Sequence, residues 1–324
     1  MKKLGFGLIG CGDISRRRVA PAIATLNNCE LITVSRARSE LANEFAREFG
    51  ARRWHKTWRE MIHDEEVEAV YISTPHDQHA EQAIAAAEAG KHVLCEKPLA
   101  LTLGDCRAVI EACRRNNVNL GIAYYRHFYP AIARIRELIR SGVLGRVGMV
   151  QINTFEWDPD LEHETREWIF RKTEAGGGPM MGAGCHRIEV LLDLFGPVER
   201  VSSTLRNVLF EREVEDMGVA LLTFAGGTCG VLAASNSIFA PADTLDIYGS
   251  KGSIRVASLN SGVLEVSVDG EVRREVHPPH ENPHLPVVDD FVRAIFDRRE
   301  PGVGGEIALA VQEIESAIYE DSRR

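Results

Sequence analysis

The chain has 324 residues, 44% of them hydrophobic and 26% charged, with a formal net charge of −9. That length exceeds what one core ordinarily serves, so two domains are expected, and the hydrophobic fraction argues against disorder. The acidic balance argues against non-specific nucleic-acid binding, which needs basic surface. The seven cysteines are scattered, with no C-x-x-C or Cys/His ligand spacing, and read as free thiols of a reducing, cytoplasmic compartment. Met1-Lys2-Lys3 imitates the start of a signal peptide. The apolar run behind it is short and leads straight into a glycine turn, so a first β-strand is expected instead. No stretch is long and apolar enough to span a bilayer, and no membrane partner is expected.

In chain order, Leu4 to Ile9 reads as a strand and Ile14 to Leu26 as a helix bent near Pro21. Glu30 to Val34 is a strand, Ser39 to Phe49 a helix closed by Gly50, and Val67 to Ser73 a strand. Ala80 to Ala89 is a helix closed by Gly90, a good residue just past a helix end. His92 to Cys95 is a strand, Leu103 to Asn116 a helix and Asn119 to Ala123 a strand. Strands alternating with helices predict a doubly wound parallel sheet, an α/β Rossmann domain over residues 1–123. After a helix at Ala131 to Ser141 the texture changes. Arg146 to Trp157, Glu199 to Asn207, Gly218 to Phe224, Cys229 to Asn236, Asp243 to Gly249 and Ser253 to Val256 read as strands in series. They predict an open, largely antiparallel sheet in a second α/β domain over residues 124–324. One helix, Gly184 to Phe195, interrupts the series. Two more, Val287 to Arg298 and Gly305 to Asp321, close the chain, the last able to pack back on the first domain.

Gly10-Cys11-Gly12-Asp13-Ile14-Ser15 stands at the first strand–helix junction. There Gly10 permits a tight turn, Gly12 lets backbone approach a pyrophosphate, and Ser15 is small enough for close helix–strand packing. At the end of the second strand an NAD site would carry an acid for the ribose hydroxyls. The chain has Ser35-Arg36-Ala37-Arg38 instead. A hydroxyl and two guanidinium groups suit a 2′-phosphate, so NADP(H) is favoured over NAD(H). Arg16-Arg17-Arg18 reads as a solvated helix face.

Several segments together resemble the glucose–fructose oxidoreductase and inositol dehydrogenase family, Gfo/Idh/MocA. They are Ile72-Ser73-Thr74-Pro75, then His79, and Ala89-Gly90-Lys91-His92-Val93-Leu94-Cys95-Glu96-Lys97-Pro98. Tyr125-Arg126-His127-Phe128-Tyr129-Pro130, Gly176-Gly177-Gly178 followed by Gly184-Cys185-His186, and Tyr248-Gly249-Ser250-Lys251-Gly252 extend the likeness through most of the chain. The resemblance implies a Rossmann domain, a second domain whose open sheet often forms a subunit interface, and a homo-oligomer, dimer or tetramer. It implies NAD(P)-dependent oxidation of a sugar, polyol or inositol-like hydroxyl, or the reverse reduction. Lys97 would contact the nicotinamide ribose and the reacting oxygen, Pro98 would follow a cis peptide bond, and Thr74, Pro75 and His79 would border the cofactor.

Moving a hydride from an alcohol needs a base for the hydroxyl proton, and Lys97 can serve if burial and the nearby cationic ring lower its proton affinity. Glu96 either orients Lys97 or closes a salt bridge with it. Within the glycine-rich block, His186 is favoured for substrate contact or proton relay. The departure from the family is Gly182, where many relatives carry aspartate one helical turn before this histidine. Tyr125, where relatives often carry asparagine, and Tyr124 are candidate substitutes, since a phenol donates a proton; the acidic loop Trp157 to Glu167 is another source. Gly182 keeps open a non-catalytic nucleotide-sensing protein on the same fold, and an NAD-dependent glycosidase is a third reading. His76, His79, His277, His280 and His284 form no closed ligand pattern, so no metal is expected.

Overall fold

The structure, a computed structural model, describes residues 2–157 and 167–323. The inner part of the acidic loop considered above, residues 158–166, lies outside the described residues. The chain divides into two compact units, Met1–Tyr125 with His280–Leu309, and Arg126–Pro279 with Ala310–Arg324.

The first unit is built on a six-stranded sheet of β1 (Leu4–Ile9), β2 (Cys29–Ser35), β3 (Arg53–His55), β4 (Ala69–Ile72), β5 (His92–Cys95) and β6 (Leu120–Ile122). Its strand order is β3-β2-β1-β4-β5-β6, and every pair is parallel. All six residues of β1 and all four of β4 are buried, as expected of strands in a parallel sheet. That is why their sequences are continuous apolar runs rather than alternations. Between strands, Ser39–Phe49 ends at Gly50, whose φ of 69° is the left-handed value that favours glycine. Leu103–Arg115 starts at Thr102, whose hydroxyl accepts the Asp105 N–H. The expected helix from Ile14 is a π-turn over Ser15–Val19 that becomes α-helical at Ala20–Thr25. Pro21 in the first α-turn has no N–H to donate, which fits a change of hydrogen-bond pattern at this point.

The edge strand β6 is covered by the chain's return. Ile122 N–H donates to Val303 O at 2.9 Å, and the Asn119 amide donates to Arg299 O at 2.7 Å. The helix Leu285–Asp297 also belongs to this unit. Its Phe291 is 1% exposed, with its ring centroid 6.3 Å from that of Phe6. A Cβ at Gly121 would lie 2.7 Å from the Phe291 ring, so β6 has a glycine where the ring needs the space.

The second unit carries an eight-stranded sheet. Its strands are β7 (Val147–Trp157), β8 (Val198–Arg206), β9 (Met217–Phe224), β10 (Cys229–Ser235), β11 (Ser237–Gly249), β12 (Gly252–Val256), β13 (Val263–Val268) and β14 (Glu271–Val276). The order is β14-β13-β12-β11-β7-β10-β9-β8, antiparallel except at β10–β7. β9 shows the one-sided pattern: Gly218, Ala220, Leu222 and Phe224 are buried, while Val219 and Leu221 are exposed. The outer edge β8 is tied down by the final helix. Ser203 N–H donates to Asp321 Oδ2 at 2.7 Å, and Leu205 N–H to Ser322 Oγ at 2.8 Å. The expected series of strands stopped at Val256; the structure adds the hairpin β13–β14. Its turn residues Asp269 and Gly270 have φ of 50° and 85°, the left-handed pair that a two-residue hairpin turn uses.

Phe291→Ala should destabilise the protein by about 3–5 kcal/mol, because it opens a cavity between Phe6 and β6. Urea unfolding followed by circular dichroism measures this. A loss under about 1 kcal/mol would show that the helix Leu285–Asp297 is not part of the first core.

Candidate active site

The parallel ladder runs past the carboxyl ends of four neighbouring strands. Gly10 N–H donates to Ser35 O, Ser73 N–H to Ile9 O, Glu96 N–H to Ile72 O and Ala123 N–H to Cys95 O. The glycine turn, Ser73, Glu96 and Ala123 therefore stand along one edge of the sheet. The order of strands reverses between β1 and β4, which is where open α/β sheets bind ligands.

Gly10 has φ of 90°, and a Cβ there would lie 2.7 Å from Ser73 O, so this position admits glycine alone. A knot of hydroxyls holds the turn. Ser15 Oγ and Ser73 Oγ each donate to Gly10 O, at 2.8 and 2.7 Å, and lie 2.6 Å from each other. Ser15 is thus a buried hydrogen-bonding residue as well as a small one. Gly12 differs: a Cβ there would meet no atom within 4 Å. Its own fold does not demand glycine, and the space beside it is open. Asp13 is exposed and pairs with Arg17; Ile14 is half-buried at the start of the helix.

At the end of β2, Ser35 is buried and its carbonyl anchors Gly10. Arg36 is half-buried and Arg38 exposed, and among the described residues neither has a carboxylate partner. Burial and the nearby charges of Arg38 and Arg16 all lower the proton affinity of the Arg36 guanidinium, which the Cys11 thiol only partly offsets. Arg16 itself pairs with Glu48 and lies over Phe45 and Phe49. Cys11 is buried, its thiol pushed up to about 12 by burial, and it is chemically inert at neutral pH.

At the end of β5, Lys97 is half-buried and the Lys97–Pro98 bond is cis. The preceding Glu96 is almost fully buried and densely held. Tyr71 Oη donates to its Oε1 at 2.9 Å, His284 Nε2 donates to the same oxygen at 3.0 Å, and the Lys97 N–H reaches Oε2 at 3.4 Å. Burial opposes ionisation of Glu96. The His284 bond and charge, the Lys97 charge and the Tyr71 bond together outweigh it and hold the carboxyl at about 2. His79 has no exposed surface, and its ring nitrogens lie 2.8 Å from Pro98 O and 2.9 Å from Thr74 O. It staples the loop after β4 to the loop after β5. Burial lowers its pKa, and a neutral ring donates to only one of those two carbonyls. Thr74 is further fixed by its hydroxyl bond to Gln82 at 2.7 Å, and Pro75 is half-buried beside it. Tyr125 is half-buried and stacked against His284, with ring centroids 5.3 Å apart, and carries the Arg18 guanidinium over its face. Tyr124 is buried.

In the second unit, His186 is buried on the helix Cys185–Phe195, which follows a π-turn over Met180–Gly184. Gly182 lies in that turn, and a Cβ there would meet nothing within 4 Å, so a larger residue fits. The glycine block before it has a packing cause. A Cβ at Gly177 would fall 1.8 Å from Tyr319 Oη, and one at Gly178 would fall 1.9 Å from Glu215 O. The Glu215 carboxylate accepts the N–H groups of Gly178 and Met180 and the Tyr319 hydroxyl, at 2.9, 3.2 and 2.7 Å. It thereby fixes where the His186 segment begins. Asp243 adds a second anchor, accepting from buried Arg187 at 2.6 Å and buried Arg126 at 3.2 Å.

Residues 4–124 match the model of an oxidoreductase family with an NAD-binding Rossmann fold, and residues 132–255 match the GFO/IDH/MocA C-terminal domain. The chain belongs to the Gfo/Idh/MocA oxidoreductase family. Among family members it is 30% identical over 293 residues to levoglucosan dehydrogenase of Pseudarthrobacter phenanthrenivorans, covering 78% of this chain and 73% of that one. It is 31% identical over 282 residues to trans-1,2-dihydrobenzene-1,2-diol dehydrogenase of Mus musculus, covering 85% and 80%. The structure of levoglucosan dehydrogenase with NADH and levoglucosan superposes with a TM-score of 0.90 at 26% identity, over 99% of this chain and 98% of that one.

Three family-site neighbours escape a reading of the sequence. His284 lies 188 residues from Glu96 and carries no local motif. Tyr71 reads as one more strand residue. Glu215 lies between unremarkable charges, and only the forced glycines at 177 and 178 hint at a group packed against them. No cluster of three or more metal-ligating side chains occurs among the described residues, and none of their helices is long and apolar enough to cross a membrane.

Glu96 has a folded pKa of about 2 against an ordinary 4.5, so its contribution to stability is fully present above about 4.5 and is lost as pH falls towards about 2. The stability gap between wild type and Glu96→Gln should be widest near neutral pH and close across that window. Urea unfolding at several pH values tests it; a gap independent of pH would contradict an ionised, donor-held Glu96.

Proposed function

We propose that the protein is an NADP(H)-preferring oxidoreductase acting on a sugar-, polyol- or inositol-like alcohol or ketone. The observation that carries this is Lys97 on the same edge of the sheet as the glycine turn, backed by a buried, ionised Glu96. Bound nicotinamide would accept or return the hydride. In the oxidative direction the Lys97 amine takes the hydroxyl proton as the C–H hydride departs, leaving a carbonyl. In reduction the Lys97 ammonium returns that proton. The Glu96 carboxylate sets a negative charge next to Lys97 in the chain and accepts the Lys97 backbone N–H. Tyr125 is the candidate phenol in the first unit, and His186 the candidate proton relay in the second.

The cofactor preference rests on Arg36 and Arg38, two cations beside the Ser35 anchor with no carboxylate partner among the described residues. A 2′-phosphate would relieve their mutual repulsion, whereas a bare ribose offers nothing for them to bind. Gly10, Gly12, Asp13 and Ile14 would present the turn to the pyrophosphate. Thr74 and Pro75, with His79 fixing them from behind, would border the nicotinamide half.

NADPH should bind at least about tenfold more tightly than NADH, from two charge-assisted phosphate bonds. The double variant Arg36→Ala/Arg38→Ala should erase most of that ratio. Fluorescence titration of both cofactors measures it, and equal or reversed affinities in the wild type would end the preference.

Lys97→Met should lower turnover by about a hundredfold or more while NADPH affinity stays within about threefold. Steady-state rates on an accepted sugar or polyol decide this, and a variant with near-normal kcat removes Lys97 from proton transfer.

A further inference from the structure

We infer that His284 is a positioning residue for Lys97, acting through the Glu96 carboxylate that it and Tyr71 hold from the side away from Lys97's own peptide. The inference rests on the oxidoreductase reading of Lys97. His284 belongs to the chain's late return into the first unit, and its place is well determined. Its N–H donates to Asn282 Oδ1 at 3.0 Å, the Asn282 amide donates to Arg18 O at 2.8 Å, and His284 O accepts the Val288 N–H at the head of the helix Leu285–Asp297. The ring is 1% exposed. Since the carboxylate can only accept, Nε2 carries the proton in the bond to Glu96.

The other ring nitrogen is the telling one. His284 Nδ1 is buried and has no hydrogen-bond partner among the described residues. A stranded buried nitrogen is costly, and an apolar side chain would fill the same space without it. A histidine kept under that cost points to the bond that Nε2 makes. Tyr125 packs on the same ring, so one imidazole touches two groups of the candidate site.

The consequence is electrostatic. The groups facing Glu96 are His284, Lys97 and Tyr71, with His79 and Cys95 as the remaining ionisable neighbours and Arg18 acting on Tyr71. Burial drives the carboxyl towards its neutral form and the donors oppose it. Without His284 the balance moves towards neutral Glu96. The negative charge fixed beside Lys97 is then lost as pH falls.

The test compares wild type, His284→Leu, and His284→Gln, whose side-chain amide can replace the Nε2 donor. NADPH affinity and the pH dependence of kcat are measured on one accepted sugar or polyol. His284→Leu should bind NADPH as the wild type does, lose kcat by about tenfold, and show an added inflection in the pH profile of kcat between about pH 7 and 5 that the wild type lacks. His284→Gln should recover most of the rate and the wild-type profile. If His284→Leu does not fold, Tyr71→Phe removes the other donor with the loss of one hydroxyl and should produce the same added inflection. A pH profile superimposable on that of the wild type, whatever the change in Tm, would make His284 a packing residue and overturn the inference. Absence of turnover in the wild type itself, across sugars and polyols with either cofactor, would overturn the oxidoreductase reading instead.

Discussion

A buried carboxylate that must stay charged organises the first unit. Glu96 terminates β5 with almost no exposure to water, a position that an isolated anion would not tolerate. It is made tolerable by a hydroxyl from β4, an imidazole from the far end of the chain and the N–H of the next residue. Satisfying one side chain thus ties two neighbouring strands to the returning segment 280–309, and it leaves Lys97 at the edge of the sheet with a fixed negative charge behind it. His79 is buried one loop away, its ring lying between the carbonyls of Thr74 and Pro98. The edge where a ligand would lie is held by buried polar groups, which impose direction, whereas the apolar core beneath imposes only shape.

The second unit follows the same logic with different residues. Glu215 is buried and pushed up by burial, and it is satisfied by two backbone N–H groups and the Tyr319 hydroxyl. Those contacts are so close that positions 177 and 178 have no room for a side chain. Asp243 then binds two buried arginines, one adjoining His186 in the chain and one adjoining Tyr125. Gly182 stands apart from this economy. It lies in the π-turn before the His186 helix with open space beside it, so its glycine is not a packing requirement.

Much of this is legible in the sequence because the signals are local. A buried parallel strand must be an apolar run, and the turn after β1 must have glycine at position 10, so both appear as contiguous patterns. The Glu-Lys-Pro segment is legible for the same reason. What escapes is set by distance or by charge. His284 reaches Glu96 only once the chain has returned, and no spacing encodes it. β3 is a three-residue edge strand, Arg53–His55, whose charged and aromatic residues bury little. The hairpin β13–β14 did carry a signal, alternating valines around Asp269-Gly270, but the charged, exposed β14 hides it. Burial also changes the meaning of residues that the sequence does flag. His79, expected to border the cofactor, is fully buried between the loops after β4 and β5.

Occupation of the sheet edge by a dinucleotide can be seen directly by hydrogen–deuterium exchange of the intact protein with and without saturating NADPH. A cofactor lying across the carboxyl ends of β1, β2, β4 and β5 predicts slowed exchange in residues 10–16, 36–38, 74–79 and 96–97, with the sheet interior unchanged. Protection elsewhere, or none at saturation, would contradict the placement of the nucleotide site on which the rest depends.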